Sequence, residues 1–152
     1  MLDLAADKLP AWAVSGDVAT RCGLGLQGVR LYGVASVRRV LLAQLAAVAD
    51  LDENFTLRLL IPYLTRLEEL HYWLDTLDRH LSRSLPTGAM IETPAAALDI
   101  DNWLAVSDFV AVGCNDLMQC LFAADRDRAD TGNYLDPCAP LLFRFFRQMA
   151  ET

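Results

Sequence analysis

Apolar residues recur along this chain in two rhythms. Short runs stand at Leu2–Ala5, Val29–Tyr32, Leu57–Ile61, Ala89–Ile91 and Phe109–Val112. Each is bounded by polar or turn-forming residues, which suits a strand covered on both faces. Between and after them the spacing changes to three and four. Ser36 is placed to cap a helix running to about Ala49, with Val37, Val40, Leu41, Leu45 and Val48 on its apolar face. Thr65-Arg66-Leu67-Glu68 has the spacing of a capping box, and Leu67, Leu70, Leu74, Leu77 and Leu81 follow on one helix face. Pro94 opens a helix to about Val106, and Leu141–Ala150 forms the last, behind Asp136-Pro137 and Pro140. Gly16–Gly28 reads as a loop.

Short strands alternating with helices of 10 to 20 residues predict βαβ units and a parallel sheet. About five strands and four helices fit these 152 residues as one α/β domain, residues 1–152. A closed (β/α)8 barrel takes roughly 250 residues, so the pattern predicts a small open sheet or a piece of a barrel. In parallel α/β folds ligands bind at the carboxyl ends of the strands. Asp7 and Lys8 follow the first run, Arg30 lies in the second, Glu92 closes the fourth, and Asn115-Asp116 follow the fifth. Each also has a plainer reading. Glu92 before Thr93-Pro94 suits a helix start, Asn115-Asp116 a turn, and Arg30 a surface strand position.

Charge and composition remove several classes of function. Hydrophobic residues are 54% and charged residues 22%, too apolar for a disordered chain. Thirteen Lys and Arg against twenty Asp and Glu leave a net charge of −7, which disfavours nucleic acid as a partner. No apolar run approaches the roughly 18 residues of a membrane span, and the acidic start MLDLAADKLP does not resemble a secretory signal. Cys22, Cys114, Cys120 and Cys138 show no C-x-x-C spacing, which predicts reduced cytoplasmic thiols and no structural zinc. Cys114 and Cys120 read as small apolar fillers, Trp12, Trp73 and Trp103 as packing residues, and His71 and His80 as solvated helix residues.

Two long motifs add to this. Met90-Ile91-Glu92-Thr93-Pro94-Ala95-Ala96-Ala97 and Gly113-Cys114-Asn115-Asp116-Leu117-Met118-Gln119 resemble the C-terminal barrel of the phosphoenolpyruvate-utilising enzymes, most of all enzyme I of the bacterial phosphotransferase system. Leu2–Lys8 resembles the family's L-D-I-G-G-D-K, Gly28-Val29-Arg30-Leu31 its arginine-bearing strand, and Leu57–Pro62 with Leu67-Glu68-Glu69-Leu70 its next strand and helix start. Ala124-Asp125-Arg126 resembles V-D-R, and Tyr134–Pro137 the terminal segment, all in the family's order.

The resemblance implies an incomplete TIM-type barrel covering roughly the second to sixth βα units, with helices outside the sheet. It implies that Glu92 and Asp116 are the protein ligands of Mg2+. Arg30, Asn115 and Arg126 would contact the phosphate and carboxylate of phosphoenolpyruvate or a related oxyacid, with Lys8 as an added point charge. These charges would stabilise the enolate formed as the phosphoryl group leaves.

The chain departs from the family pattern at several points. Two family arginines have no counterpart, Ala5 and Ala6 stand for glycines, Cys114 for a threonine, and Asp127-Arg128 for Gly-Asn. The G-x-C-G-E-x-A-G motif, whose cysteine protonates the enolate, does not occur in the sequence, and neither His71 nor His80 matches the S-H-x-A-type phosphohistidine motif. Full phosphotransfer by these residues alone is therefore not expected. The rival readings are a non-catalytic phosphoenolpyruvate sensor, a degenerate interaction protein, and a Mg2+-dependent aldolase or lyase. Open strand edges and the stripe Leu142, Phe145, Phe146 and Met149 predict a homo-oligomer or a partner chain completing the barrel, unless the preceding units cover that stripe.

Overall fold

The computed structural model describes residues 1, 3, 10, 24–51 and 55–151. Its elements run α1 (Ala35–Ala49), β1 (Leu59–Ile61), α2 (Leu67–His80), β2 (Thr87–Ile91), α3 (Pro94–Leu98), α4 (Ile100–Val106), β3 (Phe109–Val112), α5 (Cys114–Phe122) and α6 (Pro140–Glu151), with 3-10 turns at Gly28–Gly33 and Gly132–Tyr134. The strands form one parallel sheet in the order β1-β2-β3. Leu59 pairs with Thr87, Ile61 with Ala89, Gly88 with Phe109, and Ile91 with Val112. Helices connect successive strands, as parallel pairing requires. Glycine at 88 has a local reason: a methyl group there would run into the Phe109 ring.

Three of the five expected strands are present among the described residues, and a closed barrel is not. The run Leu2–Ala5 lies outside the described residues apart from Asp3. Val29–Tyr32 is not a strand. Gly28 sits at φ +47, the Arg30 N–H donates to the Gln27 carbonyl at 3.1 Å, and the Val34 N–H donates to the Leu31 carbonyl at 2.9 Å. These tight turns wind the segment into a 3-10 helix that buries Val29, Leu31 and Tyr32. A short apolar run fits either conformation, and the left-handed glycine decides between them.

The turn leads directly into α1, so Val34 precedes the helix and Ser36 lies inside it, not before it. Glu69, not Glu68, reaches back at the start of α2, where its Oε2 accepts from the Thr65 N–H at 2.8 Å and the Arg66 N–H at 3.1 Å. The single helix expected from Pro94 to Val106 is broken at Asp99. There the Oδ1 accepts from Asn102 Nδ2 at 2.6 Å, a local bond that competes with helix continuation.

The core gathers Val37, Leu41 and Leu45 of α1, Ile61, Leu64, Leu70, Trp73 and Leu77, Ala89, Ile91, Trp103 and Leu117. Tyr32 meets Trp73 edge-on, with ring centroids 4.8 Å apart. Trp73 and Trp103 are packing residues as expected, while Trp12 lies outside the described residues. His71 and His80 are exposed on α2. Leu142 of α6 is buried and Phe145, Phe146 and Met149 pack half-buried against the core, so the preceding units cover part of that stripe, whereas Leu141 and Phe143 remain exposed. Among the described residues no helix is long and apolar enough to cross a membrane.

Leu41 has no solvent exposure, and Leu98 is 82% exposed. Leu41→Ala is expected to cost about 2–5 kcal/mol in chemical denaturation and Leu98→Ala less than about 0.5 kcal/mol. Equal losses at the two sites would refute this placement of the core.

Candidate functional site

The carboxyl ends of the three strands converge on a cleft of about 410 Å³. Tyr63 follows β1, Glu92 follows β2, and Gly113, Cys114, Asn115 and Asp116 follow β3. Asp3, Gln27, Met90 and Arg126 complete the lining.

Glu92 is 3% exposed. It does not serve the helix behind it, since Thr93 Oγ1 accepts the Ala96 N–H at 3.2 Å and caps α3. Glu92 Oε2 instead accepts the Tyr63 N–H at 2.8 Å, across the sheet. The side chain also lies against Gly113, where a methyl group would collide with its Cγ and Oε1. Burial pushes the Glu92 carboxyl up to about 7; Asp3 and Asp116 push the same way, while the Tyr63 N–H and Arg126 oppose. The Asp3 carboxyl is also raised, by desolvation first and then by the charge of Asp116.

Asp116 stands in the first turn of α5. Its Oδ1 accepts from Gln119 Nε2 at 3.1 Å, and its Oδ2 accepts from Arg126 Nη1 at 3.3 Å. Arg126 reaches it because Ala123 ends α5 in the left-handed region, φ 50, and turns the chain back. Gln119 Oε1 then takes the Arg126 N–H at 2.9 Å. A left-handed alanine is uncommon, and no glycine marks this reversal in the sequence.

Glu92, Asp116, Asn115 and Arg126 are thus brought to one cleft. Arg30 is not among its lining residues. Its guanidinium donates to the Gly25 carbonyl at 3.1 Å and Thr65 Oγ1 at 2.8 Å, and lies 5.5 Å over the Tyr63 ring. Lys8 lies outside the described residues. Cys114 is exposed at the cleft rather than a buried filler, and Cys120 is partly buried. Cys22 also lies outside the described residues.

Asp3, Gln27 and Tyr63 line the cleft without having been singled out in the sequence. The rule that finds Glu92 also finds Tyr63, which stands two residues past β1 behind Pro62. Nothing in the local pattern marks Gln27.

Among the described residues no group of three or more His, Cys, Asp or Glu side chains is gathered as a metal ligand set. Glu92 and Asp116 nevertheless fit a Mg2+ site. That ion takes hard oxygens from one or two carboxylates and fills its remaining positions with water and ligand oxygens. The Glu92 carboxyl, raised first by burial and then by Asp3 and Asp116, is the kind of group that a cation would stabilise in its charged form.

A parallel α/β unit with carboxylates and an arginine around a cleft at the carboxyl ends of its strands has the architecture of ligand-binding α/β domains. Comparison with known proteins supplies the family. The model described as PEP-utilising enzyme, PEP-binding domain matches residues 2–152, and the chain belongs to that family. The phosphoenolpyruvate-protein phosphotransferase of Cupriavidus necator is 30% identical over 154 residues, covering 94% of this chain and 26% of that protein. The protein of the same name from Streptomyces coelicolor is 31% identical over 154 residues, covering 100% of this chain and 27% of its own length. Multiphosphoryl transfer protein 2 of Escherichia coli is 27% identical over 131 residues, with 80% of this chain and 16% of that protein covered. The chain spans about a quarter of the length of the phosphotransferases it matches.

The Glu92 environment carries a pH signature. Folding raises this carboxyl to about 7, so the folded state holds the proton more tightly than the unfolded chain. Its contribution to stability is complete below the unfolded value and is lost as pH rises through about 7. Glu92→Gln keeps an acceptor for the Tyr63 N–H and is expected to flatten the fall in melting midpoint between about pH 5 and 8. An unchanged pH slope would show that Glu92 is not the titrating group.

Proposed function

We propose that this chain is the phosphoenolpyruvate- and Mg2+-binding part of an enzyme I-like phosphotransferase, and that binding rather than complete phosphotransfer is the role of these 152 residues. The observation that carries the reading is the meeting of Glu92, Asp116, Asn115 and Arg126 at one strand-end cleft, on a chain of this family. Glu92 and Asp116 would hold Mg2+, which when bound supplies positive charge against the developing negative charge of a phosphoenolpyruvate reaction. Arg126 offers a planar fork to a phosphate or carboxylate, and Asn115 an amide from the start of α5. Arg30 acts from one layer further out, over Tyr63. Glu92 keeps its orientation through the Tyr63 N–H, and Gly113 leaves room for it.

In calorimetric titration, Glu92→Gln and Asp116→Asn are each expected to weaken Mg2+ binding by roughly tenfold or more. Arg126→Ala is expected to weaken phosphoenolpyruvate binding by at least about tenfold, as loss of a charged hydrogen bond does, with a smaller loss for Arg30→Ala. Mg2+ affinity that survives removal of both carboxylates would refute the metal assignment.

We also propose self-association or a partner chain. Among the described residues β3 pairs only with β2, leaving its other edge open, and Val112, Leu98, Leu104, Leu141 and Phe143 are exposed. Sedimentation equilibrium is expected to show a species larger than 16.8 kDa at micromolar concentration. A cooperative, well-folded monomer at that concentration would refute association.

A further inference from the structure

In the ligand-free chain the Asp116 carboxylate and the Arg126 guanidinium neutralise each other, so neither presents its full charge to a cation or an anion. The Arg126 Nη1 to Asp116 Oδ2 contact is 3.3 Å, and both side chains are only partly exposed. The second Asp116 oxygen is held by Gln119 Nε2, while Gln119 Oε1 holds the Arg126 backbone N–H. Gln119 is buried. The Arg126 backbone is therefore fixed at the cleft by a bond that does not involve its guanidinium. If the guanidinium lets go of Asp116, the residue stays in place and only its side chain turns.

We propose that Arg126 is a latch. In the ligand-free chain its guanidinium occupies Asp116. When Asp116 turns its carboxylate to a divalent cation, the guanidinium is released toward an anionic group of the ligand. Gln119 is the positioning residue that keeps the Arg126 backbone within reach in both arrangements. Cation and anion then bind with positive coupling, each favouring the other by the same factor. This inference rests on the assignment of Glu92 and Asp116 to the metal.

The alternative is a permanent strut, and the two cases give opposite signs. A latch competes with the cation, so its removal tightens cation binding and weakens anion binding. A strut organises the cleft, so its removal weakens both. The test is calorimetric titration of the full chain at one pH with Mg2+ alone, phosphoenolpyruvate alone, and phosphoenolpyruvate in saturating Mg2+. Arg128→Gln is the control: it removes the same charge from the same loop, where Arg128 pairs with the exposed Asp130.

Arg126→Gln is expected to bind Mg2+ alone about 2- to 5-fold more tightly, the fold-change matching a partly exposed ion pair. It should bind phosphoenolpyruvate in Mg2+ at least about tenfold more weakly, with coupling reduced toward unity. Arg128→Gln should match wild type in all three titrations. Unchanged or weakened Mg2+ binding in Arg126→Gln overturns the latch, as does the same shift in Arg128→Gln. The wild-type chain tests it without any variant, because equal phosphoenolpyruvate affinity with and without Mg2+ also overturns it. Wild-type protein that binds neither ligand removes the metal assignment and the latch together, whereas intact binding without the opposite shifts removes the latch alone.

Discussion

The Glu92 carboxylate accepts the Tyr63 N–H past the end of β1, follows β2 itself, and lies against Gly113 past the end of β3. One buried acidic side chain therefore touches the carboxyl ends of all three strands. Burying a carboxylate is costly unless a donor or a counter-charge meets it. Here the backbone of the neighbouring strand end supplies the donor, Asp3 and Asp116 add repulsion, and Arg126 opposes it. The strand ends must keep their spacing for this arrangement to exist, so the register of the sheet and the chemistry of the cleft depend on each other.

That register is set below the cleft by apolar packing. β1 and β2 are buried along most of their length, and α1 and α2 cover them with Leu41, Leu45, Leu70, Trp73 and Leu77. The 3-10 turn at Gly28–Gly33 is part of the same cover. Gly28 passes so close to Tyr63 that a methyl group at 28 would meet the Tyr63 Cβ at 2.6 Å. Tyr63 itself adopts φ 55, an uncommon conformation for a bulky residue, while its N–H is spent on Glu92. Backbone strain of this kind persists where surrounding contacts over-determine the conformation, and here it sits at the cleft. Above it, Arg30 stacks over the Tyr63 ring.

Much of the fold and of the candidate site was legible from the chain alone, for identifiable reasons. β1, β2 and β3 are short apolar runs ended by proline, glutamate and glycine respectively, and α2 carries its leucines at helical spacing, so local pattern and tertiary role agree. Glu92, Asn115 and Asp116 stand just past strands, where parallel α/β sheets place ligands. Arg30 shows the opposite case. Its run looked like a strand, but the left-handed Gly28 winds it into a 3-10 turn that directs the guanidinium to Gly25 and Thr65. Cys114 looked like a filler because cysteine is commonly buried, yet its place at the start of α5 exposes it.

The runs that become β1, β2 and β3, the leucine-striped α2, the acidic balance, and the two motifs around Glu92 and Asp116 were determined by the sequence itself, because periodicity and residue type are local properties. Which groups meet was decided by tertiary structure. The Tyr63 N–H meets Glu92 across 29 positions of chain, and Arg126 returns to Asp116 only because Ala123 turns left-handed. Gln27 lines the cleft while Arg30 does not, although they are three residues apart. The physical reason is the same in each case. A hydrogen bond or an ion pair depends on where two segments are brought by packing, and packing is a property of the whole core rather than of any window along the chain.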